Sequence, residues 1–72
     1  MIVWEVNLTD GSKEWYTADF VEVFNDELNG YQRIEFRDKP KSFFSRKTIL
    51  KAYVPITILK SITVVDEEWY RG

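Results

Sequence analysis

Residues 2–9 alternate without a break: Ile2, Trp4, Val6 and Leu8 point one way, and Val3, Glu5, Asn7 and Thr9 the other. A period of two is what a strand with one buried face produces, because successive side chains leave opposite sides of the pleat. Asp10-Gly11 follows, a turn pair in which glycine accepts the positive φ that tight hairpins demand. A second strand then runs from about Lys13, with Tyr16, Ala18 and Phe20 on one face. At Phe20-Val21 the alternation slips, and Val21 and Val23 take over on the other side, as a bulge or sharp bend would cause.

The same pattern continues down the chain. Asn29-Gly30 is a turn signal. YQRIEFR places Ile34 and Phe36 inward and Arg33, Glu35 and Arg37 outward. DKPKS is a loop, since Pro40 has no amide hydrogen to give a ladder. FFSRKTILKAYVPI and KSITVVDEE come last, and TILKSI between them has the spacing of one short helical turn, with Ile58, Leu59 and Ile62 able to reach the core. About five short strands with turn signals every 8–14 residues predict an all-β fold, a small five-stranded barrel or roll with one 3₁₀ or helical turn.

Two segments carry a second reading. DFVEVFNDEL over 19–28 has strand composition, yet Asp19 with Glu22 fits a capping box, and Phe20, Val21, Phe24 and Leu28 share a helical face. In 45–54, Ser45 could cap a helix with Ile49, Leu50, Tyr53 and Val54 as its apolar face, ended by Pro55. An α+β fold with a helix at either place is the alternative.

At 72 residues the chain makes a single domain, 1–72, and it contains no cysteine and no histidine. Neither a disulfide nor a cysteine-based metal site can staple it, so its core must suffice or an oligomer must help. Twelve aromatic residues suit that demand; each buries roughly 150–250 Å². The longest apolar run, VPITIL, is far short of the about 20 residues that a membrane span needs. The N-terminus has no basic segment ahead of an apolar run. A cytoplasmic protein with no membrane contact is expected.

The inventory leaves little room for catalysis. Without histidine or cysteine the usual neutral-pH base and the strongest nucleophile are missing. Asp66, Glu67 and Glu68 are consecutive and do not converge if extended, and their spacing matches no cation loop. The three glycines, at 11, 30 and 72, form no phosphate loop. No enzyme activity, metal or cofactor is expected.

Charge is polarised. Residues 1–30 hold seven acids and one base, −6; residues 31–60 hold two acids and eight bases, +6; residues 61–72 hold three acids and one base, −2. Such asymmetry points to a charged partner, or to oppositely charged strands that pair across a sheet. The candidate partner-binding residues are Arg33, Arg37, Lys39, Lys41, Phe43, Arg46, Lys47 and Lys51. One of Phe43 and Phe44 is expected in the core and the other exposed beside the cations. An aromatic anchor with steering cations suits an acidic protein surface. The same segment, 33–51, suits single-stranded nucleic acid, with bases on the ring and phosphates on the cations; the acidic whole, pI ≈ 5.0, disfavours this alternative. The acids Glu5, Glu14, Asp19, Glu22, Asp26 and Glu27 could conversely imitate a phosphate backbone. Sheet edges, or Trp69 and Tyr70, could pair two copies into a homodimer.

The order of strand, Asp-Gly turn, long bent second strand, Asn-Gly hairpin, third strand and VPITILKSITVV (residues 54–65) resembles the small SH3-like and Sm-like barrels, among them short accessory proteins of bacteriophages and mobile elements. The groove motifs of peptide-binding SH3 domains and the glycine-containing RNA loop of the Sm family have no counterpart here. The resemblance implies a fold, and an accessory protein that binds and modulates a host protein, and leaves the ligand open.

Overall fold

The structure, a computed structural model, describes residues 2–65. Six strands are present: β1 (Ile2–Leu8), β2 (Lys13–Ala18), β3 (Phe20–Asp26), β4 (Tyr31–Asp38), β5 (Ile49–Pro55) and β6 (Leu59–Val65). A 3₁₀ turn, Ile56–Ile58, links the last two. The strands form two antiparallel sheets, ordered β2-β1-β6 and β3-β4-β5. Residues 66–72, which include Asp66, Glu67, Glu68, Trp69 and Tyr70, lie outside the described residues.

The expected all-β class holds, but of the expected five-stranded barrel or roll the strand count does not, and the two sheets do not close into a barrel. The long second strand is divided at Asp19 into β2 and β3, which belong to different sheets. At this bend the amide of Asp19 donates to the Arg37 carbonyl at 3.0 Å and lies 3.2 Å from Asp38 Oδ1, so it serves the second sheet. The bend also explains the slipped alternation. Ala18 is buried in the core, Phe20 pairs with Arg37 on the opposite face, and Val21 turns inward.

Neither helical alternative forms. Residues 20–26 are strand because Val and Phe pack on a pleated surface and pair in register with β4, from Phe20↔Arg37 to Asp26↔Tyr31. Asp26 then closes the turn, accepting from the amides of Leu28 and Asn29 and from the Asn29 side chain. Gly30, at φ 63°, takes the left-handed conformation that this hairpin requires. In 45–54 the first four residues are irregular, and the strand starts only at Ile49. β5 pairs with β4 from Asp38↔Ile49 to Arg33↔Pro55, with a register shift between Phe36 and Arg37.

The core lies between the sheets. Val6, Leu8 and Ala18 come from the first sheet, and Ile34, Phe36 and Val54 from the second. Trp4, Tyr16, Val21, Ala52, Leu59 and Ile62 pack around them. Phe36 is the pivot: its ring meets Trp4 edge-on at 6.2 Å and stacks on Tyr16 at 5.0 Å. Ile58, expected to reach the core, is exposed, because the 3₁₀ turn ends on it before the chain re-enters the sheet at Leu59. No helix among the described residues is long and apolar enough to cross a membrane.

Candidate functional site: the basic loop and the outer face of the second sheet

β4 and β5 are joined by a ten-residue connection, residues 39–48. Four of its residues are cations, Lys39, Lys41, Arg46 and Lys47, and none is an acid. At its tip the Ser45 amide donates to the Ser42 carbonyl at 3.1 Å, closing a turn in which Phe43 and Phe44 are the central residues. The Phe44 amide also donates to Ser42 Oγ. Central turn residues face away from the sheets, so both rings stand in solvent, 97% and 91% exposed, edge to face at 5.6 Å. This corrects the expectation that one of the pair fills the core. Trp4, Tyr16 and Phe36 already occupy the space between the sheets.

The base of the loop is tied down on both sides. Asp19 Oδ2 accepts from the Lys39 amide at 2.8 Å, and Lys51 Nζ reaches Asp38 Oδ2 at 3.4 Å. Arg37 Nη1 donates to Thr48 Oγ1 at 3.1 Å. An anchored base with a bare tip is how a scaffold presents a binding loop.

The other candidate cations behave differently. Arg33, Glu35 and Arg37 sit two residues apart on β4 and therefore on one face, the one turned away from the core. Both arginines close on Glu35. Arg33 Nε and Nη2 approach Oε2 at 2.9 and 2.7 Å; Arg37 Nε and Nη2 approach Oε1 at 2.8 and 2.7 Å. Glu35 is 2% exposed although it points outward, because the two guanidinium groups flank it along the strand and Glu22 and Tyr53 stand opposite it across the sheet. Burial pushes its carboxyl pKa up, and the hydrogen bonds and charges of Arg37 and Arg33 outweigh that, leaving it below the usual glutamate value. Arg33 is further held between two rings, its guanidinium carbon 4.6 Å from the Phe24 centroid and 4.5 Å from that of Tyr53. Glu22 comes within 3.8 Å of Arg37.

The eight sequence candidates thus divide. Arg33, Arg37 and Lys51 are neutralised by carboxylates of their own sheet. Lys39, Lys41, Arg46 and Lys47 have no ion pair among the described residues, and with Phe43 they share one loop. Phe44 joins them; its exposure depends on the Ser42–Ser45 turn, which the Phe-Phe pair alone does not reveal. The Glu35 clamp was legible as an Arg-x-Glu-x-Arg spacing, but its flanking rings, Phe24 and Tyr53, meet only through the β3–β4–β5 register.

The acids offered as a phosphate mimic are mostly engaged within the fold. Glu5 faces Lys13 at 3.8 Å, Glu14 accepts from the Tyr16 hydroxyl, Asp19 receives the Lys39 amide, Glu22 leans on Arg37 and Asp26 closes its own turn. No group of three or more His, Cys, Asp or Glu side chains among the described residues could hold a metal ion. Compared with known proteins, the chain matches no family model, no curated protein and no solved structure.

Proposed function

We propose that this chain is a non-enzymatic binding module whose β4–β5 loop docks on an acidic surface of another protein. One observation carries the reading: two neighbouring phenylalanines stand almost fully exposed on an anchored turn, flanked by four cations whose side chains form no ion pair among the described residues. Exposing two rings to water has a free-energy cost, so a convex aromatic knob suits a partner's apolar cleft. The cations Lys39, Lys41, Arg46 and Lys47 steer the approach and select a cleft rimmed by carboxylates. The likeness of the strand order to SH3-like accessory proteins of bacteriophages fits this reading, in which the protein modulates a host factor in the cytoplasm.

The same loop supports a second reading, single-stranded nucleic acid, because exposed rings beside cations can stack bases and hold phosphates. The loop itself offers four cations for phosphates, which limits its electrostatic contribution.

The test compares the wild type, Phe43→Ser/Phe44→Ser, and Lys41→Glu/Arg46→Glu/Lys47→Glu. Affinity capture from a lysate of the source organism identifies the partner, and titration with that purified protein measures stoichiometry and affinity. One saturable partner lost in both variants is expected. Retention of that partner by both variants would end the loop proposal. Tight, steeply salt-dependent binding of oligo(dT) with no protein partner would transfer the function to nucleic acid.

A further inference from the structure

We propose that the outer face of the β3–β4–β5 sheet is a self-association surface on which a second copy of this chain docks face to face. The surface is separate from the basic loop, and the inference does not rest on the loop's function.

The face has an interface's composition. Phe24, Leu50 and Tyr53 are 40%, 41% and 50% exposed, and register places all three on the side of the sheet away from the core, around Arg33 and Arg37. Aromatic residues and arginine are the types enriched in protein interfaces and at their energetic centres. Lysine is absent from the middle of the face; Lys51 lies at the rim, paired with Asp38.

Charge selects the occupant. Arg33, Arg37, Glu35 and Glu22 sum to zero and contact one another on the same face. A closed charge set gives a foreign partner of either sign nothing to recognise. It also gives an identical copy no net repulsion, and the guanidinium–carboxylate pairs need no new partner when water leaves. The basic loop, at +4, would instead repel its own copy.

The core argues the same way. Among the described residues the largest fully buried side chains are Phe36 and Val6, a small core for a chain without disulfides. Domains of this size often gain their missing stability from association. Three strands spaced about 4.8 Å apart, seven residues long at about 3.3 Å each, cover roughly 14 by 23 Å before side chains overhang the edges. Two such faces offer roughly 650 Å² together before that overhang, short of the roughly 1,200 Å² of a standard interface, so the dimer is a weak one, micromolar or looser.

Sedimentation equilibrium of the full chain from about 1 to about 200 μM tests this range. The variants are Tyr53→Lys and Phe24→Lys, both at exposed positions. The loop variant Lys41→Glu/Arg46→Glu/Lys47→Glu is the control that separates this proposal from the loop's function. A monomer–dimer equilibrium is expected for the wild type and the loop variant, with dimerisation weakened at least tenfold by either face variant. A wild type monomeric throughout, or a dimer unchanged by both face substitutions, overturns the proposal. Should a face variant unfold, an amide chemical-shift dilution series on the wild type decides: shifts centred on Phe24, Arg33, Leu50 and Tyr53 support the face, and shifts confined to β2, β6 or the loop overturn it.

Discussion

Tyr16 of β2 and Phe36 of β4 stack at 5.0 Å with their planes 29° apart, and this contact joins one sheet to the other. Phe36 is fully buried, and Trp4 closes on it edge-on. Phe36→Ala would remove most of the ring volume between the sheets at a cost of about 3–5 kcal/mol. A domain this small has about 5 kcal/mol in total at the lower end of ordinary stabilities. Urea unfolding followed by circular dichroism should show the variant largely unfolded at 25 °C. A midpoint near that of the wild type would show that the sheets are held together elsewhere.

The hydroxyl of the same Tyr16 donates to Glu14, and burial together with that carboxylate pushes its pKa up to about 12. The neutral phenol is therefore favoured in the folded chain. The associated stability is complete below the ordinary tyrosine value of 10.0 and is lost as pH rises from there through about 12. Ultraviolet titration should show one tyrosine ionising late, or released together with alkaline unfolding. Glu14→Gln should shift that transition downward; an unchanged transition would dissociate it from Tyr16.

Glu35 has the opposite sign. Its pKa lies below the ordinary value of 4.5, so its contribution is present above that value and is lost as pH falls from about 4.5 through the folded pKa. Glu35→Gln leaves Arg33 and Arg37 without their shared carboxylate. The expected loss at pH 7 is about 2 kcal/mol, less than the 3–5 kcal/mol of a fully buried pair because the arginines keep some contact with water. The difference between wild type and variant should vanish at low pH. A constant difference from pH 7 to pH 3 would mean that the carboxylate charge contributes nothing.

Much of this architecture was legible from side-chain period and turn chemistry. The alternation of β1, the Asp10-Gly11 and Asn29-Gly30 turns and the inward Ile34 and Phe36 are local properties, and local properties decide strands and hairpins. The division at Asp19 was visible only as a slipped period, because the hydrogen bonds that cause it come from Arg37 and Asp38, some 19 residues away. The basic segment is legible as a concentration of cations, but which of them are ion-paired is not. Whether an arginine is neutralised depends on which carboxylate the register delivers to it, and Arg33 and Arg37 find theirs on β4 itself. Phe43 and Phe44 were misjudged by the general rule that aromatics fill cores, which a ten-residue loop anchored only at its base does not obey.

That exposure yields the sharpest expectation. An exposed side chain whose one ring contact is an equally exposed neighbour contributes little to folding, so Phe43→Ser and Phe44→Ser, singly or together, should change stability by no more than about 0.5 kcal/mol. Removing exposed apolar surface should raise solubility, and the urea midpoint and slope should stay the same. If the rings instead pack on the sheet in solution, the double variant behaves as a core truncation and loses about 3 kcal/mol or more. The two results differ by several times the error of a urea curve. A large loss would put the rings inside, in direct conflict with the turn geometry at Ser42–Ser45, and would remove the aromatic anchor from the binding proposal. An unchanged midpoint leaves two phenylalanines with no structural role inside the domain, which is what the binding proposal requires of them.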